Sequence, residues 1–293
     1  MAITLLAVVI ALALGHLAPG LAARVRRFDA YRDWLRWPGQ RLPAALYLLL
    51  APGLPVLAMG VVQLGLRPFG WGLASLLLGI VVLFWCWGPR DLDRDVAAVL
   101  AAPDPASRRA AAARLWPPGG APADVGSCVE SVFRGARRRW FGVLFWFCLL
   151  GPAGALLYRL GALAAEDQAE AVPVSVQPLA RTLLALLDWP VSQLMVLALA
   201  VVADFSAVAA AWRMPGAFGL QAGLLDAAAR ASVRTDIAEE VADYTAEGIA
   251  AEVALTEVFG PLPELREAMN LAWRVLLLWL SVLALFVVAG WVG

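Results

Sequence analysis

Trp140-Phe141-Gly142-Val143-Leu144-Phe145-Trp146-Phe147-Cys148-Leu149-Leu150-Gly151-Pro152-Ala153-Gly154-Ala155-Leu156-Leu157-Tyr158 runs without a charge from Arg139 to Arg159. A helix needs about 20 apolar residues to cross the roughly 30 Å hydrocarbon core of a bilayer. The stretch is therefore read as one membrane span that continues past Arg159 through residues 160–165. The charge-free stretches 42–66, 68–89 and 275–293 read the same way, and 182–212 joins them although it carries Asp188 and Asp204. Arg67, beside Pro68, then marks a tight turn between two spans, and Trp273, Trp279 and Trp291 fall where an aromatic belt flanks the last one. Residues 1–23 are also uncharged but are broken by Gly15, Pro19 and Gly20. With no basic n-region they read as a retained membrane helix, a cleaved signal being the alternative. The expected fold class is all-α: a polytopic membrane helix bundle with five or six membrane helices, forming a single domain over residues 1–293.

Composition supports this and excludes much else. The chain has 293 residues, 62% of them apolar and 16% charged, with thirteen tryptophans and a mean hydropathy of +0.75. That is more apolar surface than a single soluble core covers, so the lipid bilayer is the expected partner of much of it. Every basic residue is Arg and His16 is the only histidine. A P-loop NTPase, a Schiff-base lysine enzyme and a multi-histidine metal site are thereby excluded. The balance of 23 basic and 23 acidic residues removes the electrostatic basis for nucleic-acid binding. Cys86, Cys128 and Cys148 form no CxxC pair or disulfide framework. No cofactor and no metal are expected.

Orientation follows from where arginine accumulates beside the spans. Residues 24–41 carry six arginines against two aspartates, and residues 90–139 carry nine against six acids, ending in Arg134, Arg137, Arg138 and Arg139. Both are placed in the cytoplasm. The acidic loop Glu166, Asp167, Glu170 is placed outside, and 213–272 is cytoplasmic again. The segments 90–139 and 213–272 are expected to be helical. In the first, helices over 91–101 and 107–115 are separated by Pro103 and Pro105, and the second ends at Trp116-Pro117-Pro118-Gly119-Gly120. In the second, Val233, Ile237 and Val241 recur at helical spacing among acids, before Pro261 and Pro263. Residues 205–272 hold ten acids against four arginines, so docking of this acidic segment on the arginine-rich ones is expected.

The candidate ligand-binding residues are few. Glu130, Arg134, Arg137 and Arg138 recur at i, i+4, i+7 and i+8 and share one face of a regular helix. That face reads either as an anion site, since guanidinium groups present forked donors to phosphate or carboxylate, or as a lipid-headgroup anchor with Glu130 paired to Arg134. Arg159 would lie on the order of 30 Å from Arg138 along a straight helix. It then reads as a snorkelling anchor at the far interface, unless the helix breaks at Gly151-Pro152. Asp188-Trp189-Pro190 has the form of a helix start with Asp188 as N-cap. Asp204 is a charge in an apolar helix, which either caps it or answers some partner. A transport role would need polar groups within the spans or paired broken helices, for which the chain offers Gln63, Ser75 and the interruptions at Pro52, Pro55 and Gly151-Pro152.

Glu130-Ser131, then Trp140 through Trp146, then Gly151-Pro152-Ala153-Gly154-Ala155-Leu156-Leu157-Tyr158-Arg159, closely resemble the signature of the AmpE family. Leu187-Asp188-Trp189, Ala203-Asp204-Phe205 through Trp212, and Arg274 through Trp291 look like its later blocks. The resemblance covers the chain from about Glu130 onward. It implies an inner-membrane regulatory or signalling protein of cell-wall recycling and β-lactamase induction in Gram-negative bacteria, non-catalytic and functionally linked to the muropeptide amidase AmpD. That family is similar in turn to the CobD/CbiB membrane enzymes of cobalamin synthesis. Their motifs match Glu130, Ser131, Leu144, Phe145, Trp146, Tyr158 and Arg159. They depart at Leu160-Gly161-Ala162-Leu163, where the enzymes carry an Asn-Thr-Leu-Asp type segment, and at Gln193, where they carry arginine. The alternative implied is thus a membrane-embedded enzyme acting on a phosphorylated or carboxylate substrate, a small anionic ligand being the expected occupant.

Overall fold

The computed structural model describes residues 2–17, 20, 24–26, 28–37, 42–66, 72–88, 91–115, 125–166, 171–220, 223–251 and 262–289. The expected turn at Arg67, the stop at Trp116 to Gly120, Pro261 and the belt residue Trp291 lie outside these, as does the His16 side chain. All regular structure among the described residues is helical. In chain order the helices are α1 (Ala2–Leu17), α2 (Asp29–Arg36), α3 (Ala44–Leu50), α4 (Gly53–Leu66), α5 (Gly72–Cys86), α6 (Leu92–Leu100), α7 (Pro105–Ala112) and α8 (Val125–Ala136). After a π-helical turn, Arg137–Phe141, come α9 (Gly142–Leu150), α10 (Pro152–Ala165), α11 (Gln177–Val202), α12 (Phe205–Trp212), α13 (Gly223–Ala246) and α14 (Pro263–Val288). Among the described residues, three continuous stretches are long and apolar enough to cross a membrane: Ala44–Leu66, Gln177–Val202 and Pro263–Val288.

The chain divides into two compact units. The first comprises Met1–Pro89, Arg138–Asp188 and Leu280–Gly293. Within it α1 packs along α5, and α10 packs on α9, α4 and α5. The decisive stretch behaves differently from a single span. Gly151 has φ 70° and ψ −153°, a combination open to glycine and strained for other residues. There α9 ends and α10, with Pro152 in its first turn, folds back along it. The charge-free part of the helix that ends here, residues 140–150, is roughly 16 Å long at about 1.5 Å per residue, well short of the hydrocarbon core. A charge-free run of nineteen residues buries its apolar surface equally well by crossing or by pairing with itself, and here it pairs with itself.

The turn is held by Gln63 of α4. Its Oε1 accepts from the Ala153 N–H at 3.3 Å, and its Nε2 donates to the Leu150 carbonyl at 3.2 Å. One amide thus satisfies a backbone group left over at the end of α9 and another at the start of α10. Because the chain reverses, Glu166 at the end of α10 pairs with Arg138 at the entry to the hairpin. Glu166, the first residue of the acidic loop, therefore lies beside Arg138.

The second unit comprises Arg90–Arg137 and Trp189–Trp279. In it α8 lies against α6 and α13, and α12 packs on α13. The two helices expected over 91–101 and 107–115 are present as α6 and α7. Pro105 is the first residue of α7, not a breaker. Asp104 caps it by accepting from the Ala106 and Ser107 N–H groups at 2.9 and 2.8 Å, with Ser107 returning the bond in a capping box.

Candidate functional site

The arginines of 134–139 do not share one face. A π-turn holds more residues per turn than an α-helix, so it shifts the phase of everything after it. Its placement at Arg137–Phe141 sends consecutive arginines to different partners.

In the second unit, Glu130 and Arg134 of α8 meet Asp226 and Arg230 of α13. Arg134 Nε donates to Asp226 Oδ1 at 3.0 Å, and its Nη2 bonds Asp226 Oδ2. The same Nη2 lies 3.3 Å from Glu130 Oε2, and Arg230 Nη1 lies 2.7 Å from Glu130 Oε1. Both acids are largely buried, while the two guanidinium groups are partly open to solvent. The bidentate bond to Asp226 holds the Arg134 guanidinium above its ordinary value, against the opposing effect of burial. Two acids and two arginines thus make an alternating chain, Asp226–Arg134–Glu130–Arg230, that docks α13 on α8. Arg137 is buried and donates from Nη1 to Ser192 Oγ at 2.9 Å.

Arg134 and Asp226 form the strongest link of this network, so their coupling is measurable. Because Arg134 is more than a third exposed, we expect about 1–2 kcal/mol, between the values of surface and buried pairs. A double-mutant cycle of Asp226→Ala and Arg134→Met, read by thermal unfolding of the purified protein, checks this. Additive effects would show that the pair does not hold the two helices together.

In the first unit, the buried Asp188 is the centre of a second cluster. Tyr158 of α10 is fully buried and donates its hydroxyl to Asp188 Oδ1 at 2.6 Å. Arg138 Nε lies 3.5 Å from Asp188 Oδ2, and Arg138 also pairs with Glu166. Asp188 is not an N-cap: α11 begins at Gln177 and carries Pro190 within it. The Asp-Trp-Pro pattern resembles a helix start because proline suits a first turn, but the preceding eleven residues are themselves helical. Trp146 Nε1 of the hairpin donates to the Leu187 carbonyl at 3.1 Å, tying α9 to α11 at this level.

Arg159 is buried, not snorkelling. Its Nε donates to the Cys86 carbonyl at 2.5 Å and its Nη2 to the Arg138 carbonyl at 3.2 Å. The reversal at Gly151 brings it back beside Arg138, which the straight-helix estimate of 30 Å could not allow. Cys86 ends α5, where carbonyls lack helical partners and the helix dipole is negative. Arg26 serves the same helix end, donating from Nε to the Phe84 carbonyl at 2.9 Å and lying over the Phe84 ring.

Asp204 stands apart from both clusters as the exposed N-cap of α12. It accepts from the Ser206 hydroxyl at 2.6 Å and the Ser206 N–H at 2.8 Å, which lower its carboxyl below the usual range. That cap is complete above the ordinary aspartate range and is lost as pH falls through the lowered value. Of the sequence candidates, then, Glu130 joins Arg134, and Arg138 joins Asp188 with Arg159 alongside. Sequence reasoning missed Asp226, Arg230 and Ser192, whose only local signal is the i, i+4 spacing of Asp226 and Arg230. Among the described residues no group of three His, Cys, Asp or Glu could hold a metal ion. Comparison with protein-family models, with curated proteins and with solved structures finds no match to this chain.

Proposed function

We propose that the chain is an inner-membrane regulatory protein of cell-wall recycling and β-lactamase induction, acting without catalysis and linked in function to the AmpD amidase. The α1, α3–α4, α5, α11 and α14 helices embed in the bilayer, the α9–α10 hairpin enters without crossing, and the charged segments face the cytoplasm. The family resemblance from Glu130 onward motivates this reading. The observation that favours regulation over synthesis is the ion-pair network of Glu130, Arg134, Asp226 and Arg230. A synthase handling a phosphorylated substrate would use those guanidinium groups on the substrate; here each is committed to an acid of the same chain. A regulator needs instead a helix pair whose docking can be biased by a partner, and α8 on α13 is such a pair.

In a strain lacking the gene, β-lactamase activity and muropeptide pools under an inducing β-lactam should differ from the parent. Complementation with the native chain should restore both, and Glu130→Ala, which frees Arg230 and leaves Arg134 on Asp226 alone, should not. Unchanged activity and pools in the deletion strain would overturn the proposal.

A further inference from the structure

Gln63, Ser75 and Gly151-Pro152, widely separated in sequence, line one cavity of the first unit together with Thr4, and its volume is about 180 Å³. It lies between the first turns of α1 and α5, the last turn of α4 and the hairpin turn, with Ala7 and Phe147 among its apolar walls. No charged side chain lines it. Gln63 spends one N–H and one lone pair on the hairpin and keeps one of each. The Thr4 and Ser75 hydroxyls have no hydrogen-bond partner among the described residues. Hydroxyls in such apolar surroundings usually bond something. An apolar cavity of about 150 Å³ holds benzene, so this one admits a group of roughly six to eight non-hydrogen atoms. Around it Ile3, Leu64 and Leu73 are exposed apolar side chains.

The geometry points to a binding site for a neutral, hydroxyl-bearing group of glyceryl size, held by Thr4, Ser75 and Gln63, with its carbon skeleton against Ala7 and Phe147. The absence of lining charge disfavours phosphate and ammonium groups, which need paired partners away from water. The same hydroxyl chemistry occurs at the head of an uncharged acylglycerol in the membrane and in free glycerol. This site does not depend on the regulatory reading above.

The test uses the full chain in phosphatidylcholine nanodiscs containing a diacylglycerol with a photoreactive group next to its glyceryl head. Cross-linked peptides are mapped by mass spectrometry, with and without excess free glycerol. We expect cross-links on α1, α5 and the hairpin turn. Ser75→Ala should lower them about fivefold, the worth of one hydrogen bond of about 1 kcal/mol, and Ser75→Leu, which fills the cavity, should abolish them. Labelling that resists glycerol identifies the lipid as source; labelling displaced by glycerol identifies the free polyol. Labelling absent from these elements, or equal in native, Ser75→Ala and Thr4→Val proteins, overturns the site. Thermal unfolding of each variant separates loss of the site from loss of the fold.

Discussion

Replacing Gly142 by alanine should lower the unfolding temperature of the protein by roughly 6–10 °C. A Cβ at this position would overlap the Tyr158 ring at Cζ and its hydroxyl oxygen. The ring cannot step aside freely, because Tyr158 is fully buried and its hydroxyl is bonded to Asp188. Overpacking alone costs about 1–3 kcal/mol. Displacing the hydroxyl removes a hydrogen bond to a buried carboxylate, worth about 1.5–3 kcal/mol. Together these give about 3–5 kcal/mol, and each kcal/mol moves the midpoint of a chain this size by roughly 2 °C. Scanning fluorimetry in one detergent checks the shift. Tyr158→Leu in the Gly142→Ala background should recover part of it by clearing the clash, although the bond to Asp188 stays lost. A Gly142→Ala midpoint within a degree of the native protein would show that the hairpin does not pack as described.

The same residues explain what could be read from the sequence and what could not. The apolar runs read at 42–66 and 182–212 appear as helical stretches over 44–66 and 177–202, the second giving way to α12 after Asp204, because burial or lipid satisfies an apolar surface with either neighbour. The hairpin at 140–165 depended on something length cannot express. Gly142 leaves a slot, Tyr158 fills it sixteen residues later, and Gln63, some ninety residues away, satisfies the turn. The Gly151-Pro152 break was visible as a permissible kink, but only those distant partners make a full reversal favourable. The Glu130 to Arg134 pair was legible because it is local to one helix turn. Asp226 and Arg230, by contrast, reach that pair only through the packing of α13 on α8. The expectation that acidic and arginine-rich segments would dock had the right charges without the right residues.

Several arginines of this chain end helices or join them, and Arg159 does both. It is enclosed in the first unit, with Nε on the Cys86 carbonyl and Nη2 on the Arg138 carbonyl. The first belongs to the open end of α5, the second to the π-turn from which the hairpin starts. Arg159→Met removes a charge whose burial is costly, which by itself would stabilise the protein. It also leaves two carbonyls in an apolar setting with one donor fewer each, at about 1–3 kcal/mol apiece. Because both carbonyls sit where helical partners are missing, the second effect should win by about 2–4 kcal/mol. Arg159→Lys keeps the charge but presents one ammonium in place of two donors fixed in a fork, so its stability should fall between the native and Met forms. Arg26→Met acts on the same end of α5 through the Phe84 carbonyl, and combined with Arg159→Met it should destabilise by an amount other than the sum of the two. Unfolding midpoints of the four variants and the native protein decide the matter. If Arg159→Met were as stable as the native chain, the guanidinium would be a tolerated charge and not the tie between α5 and the hairpin.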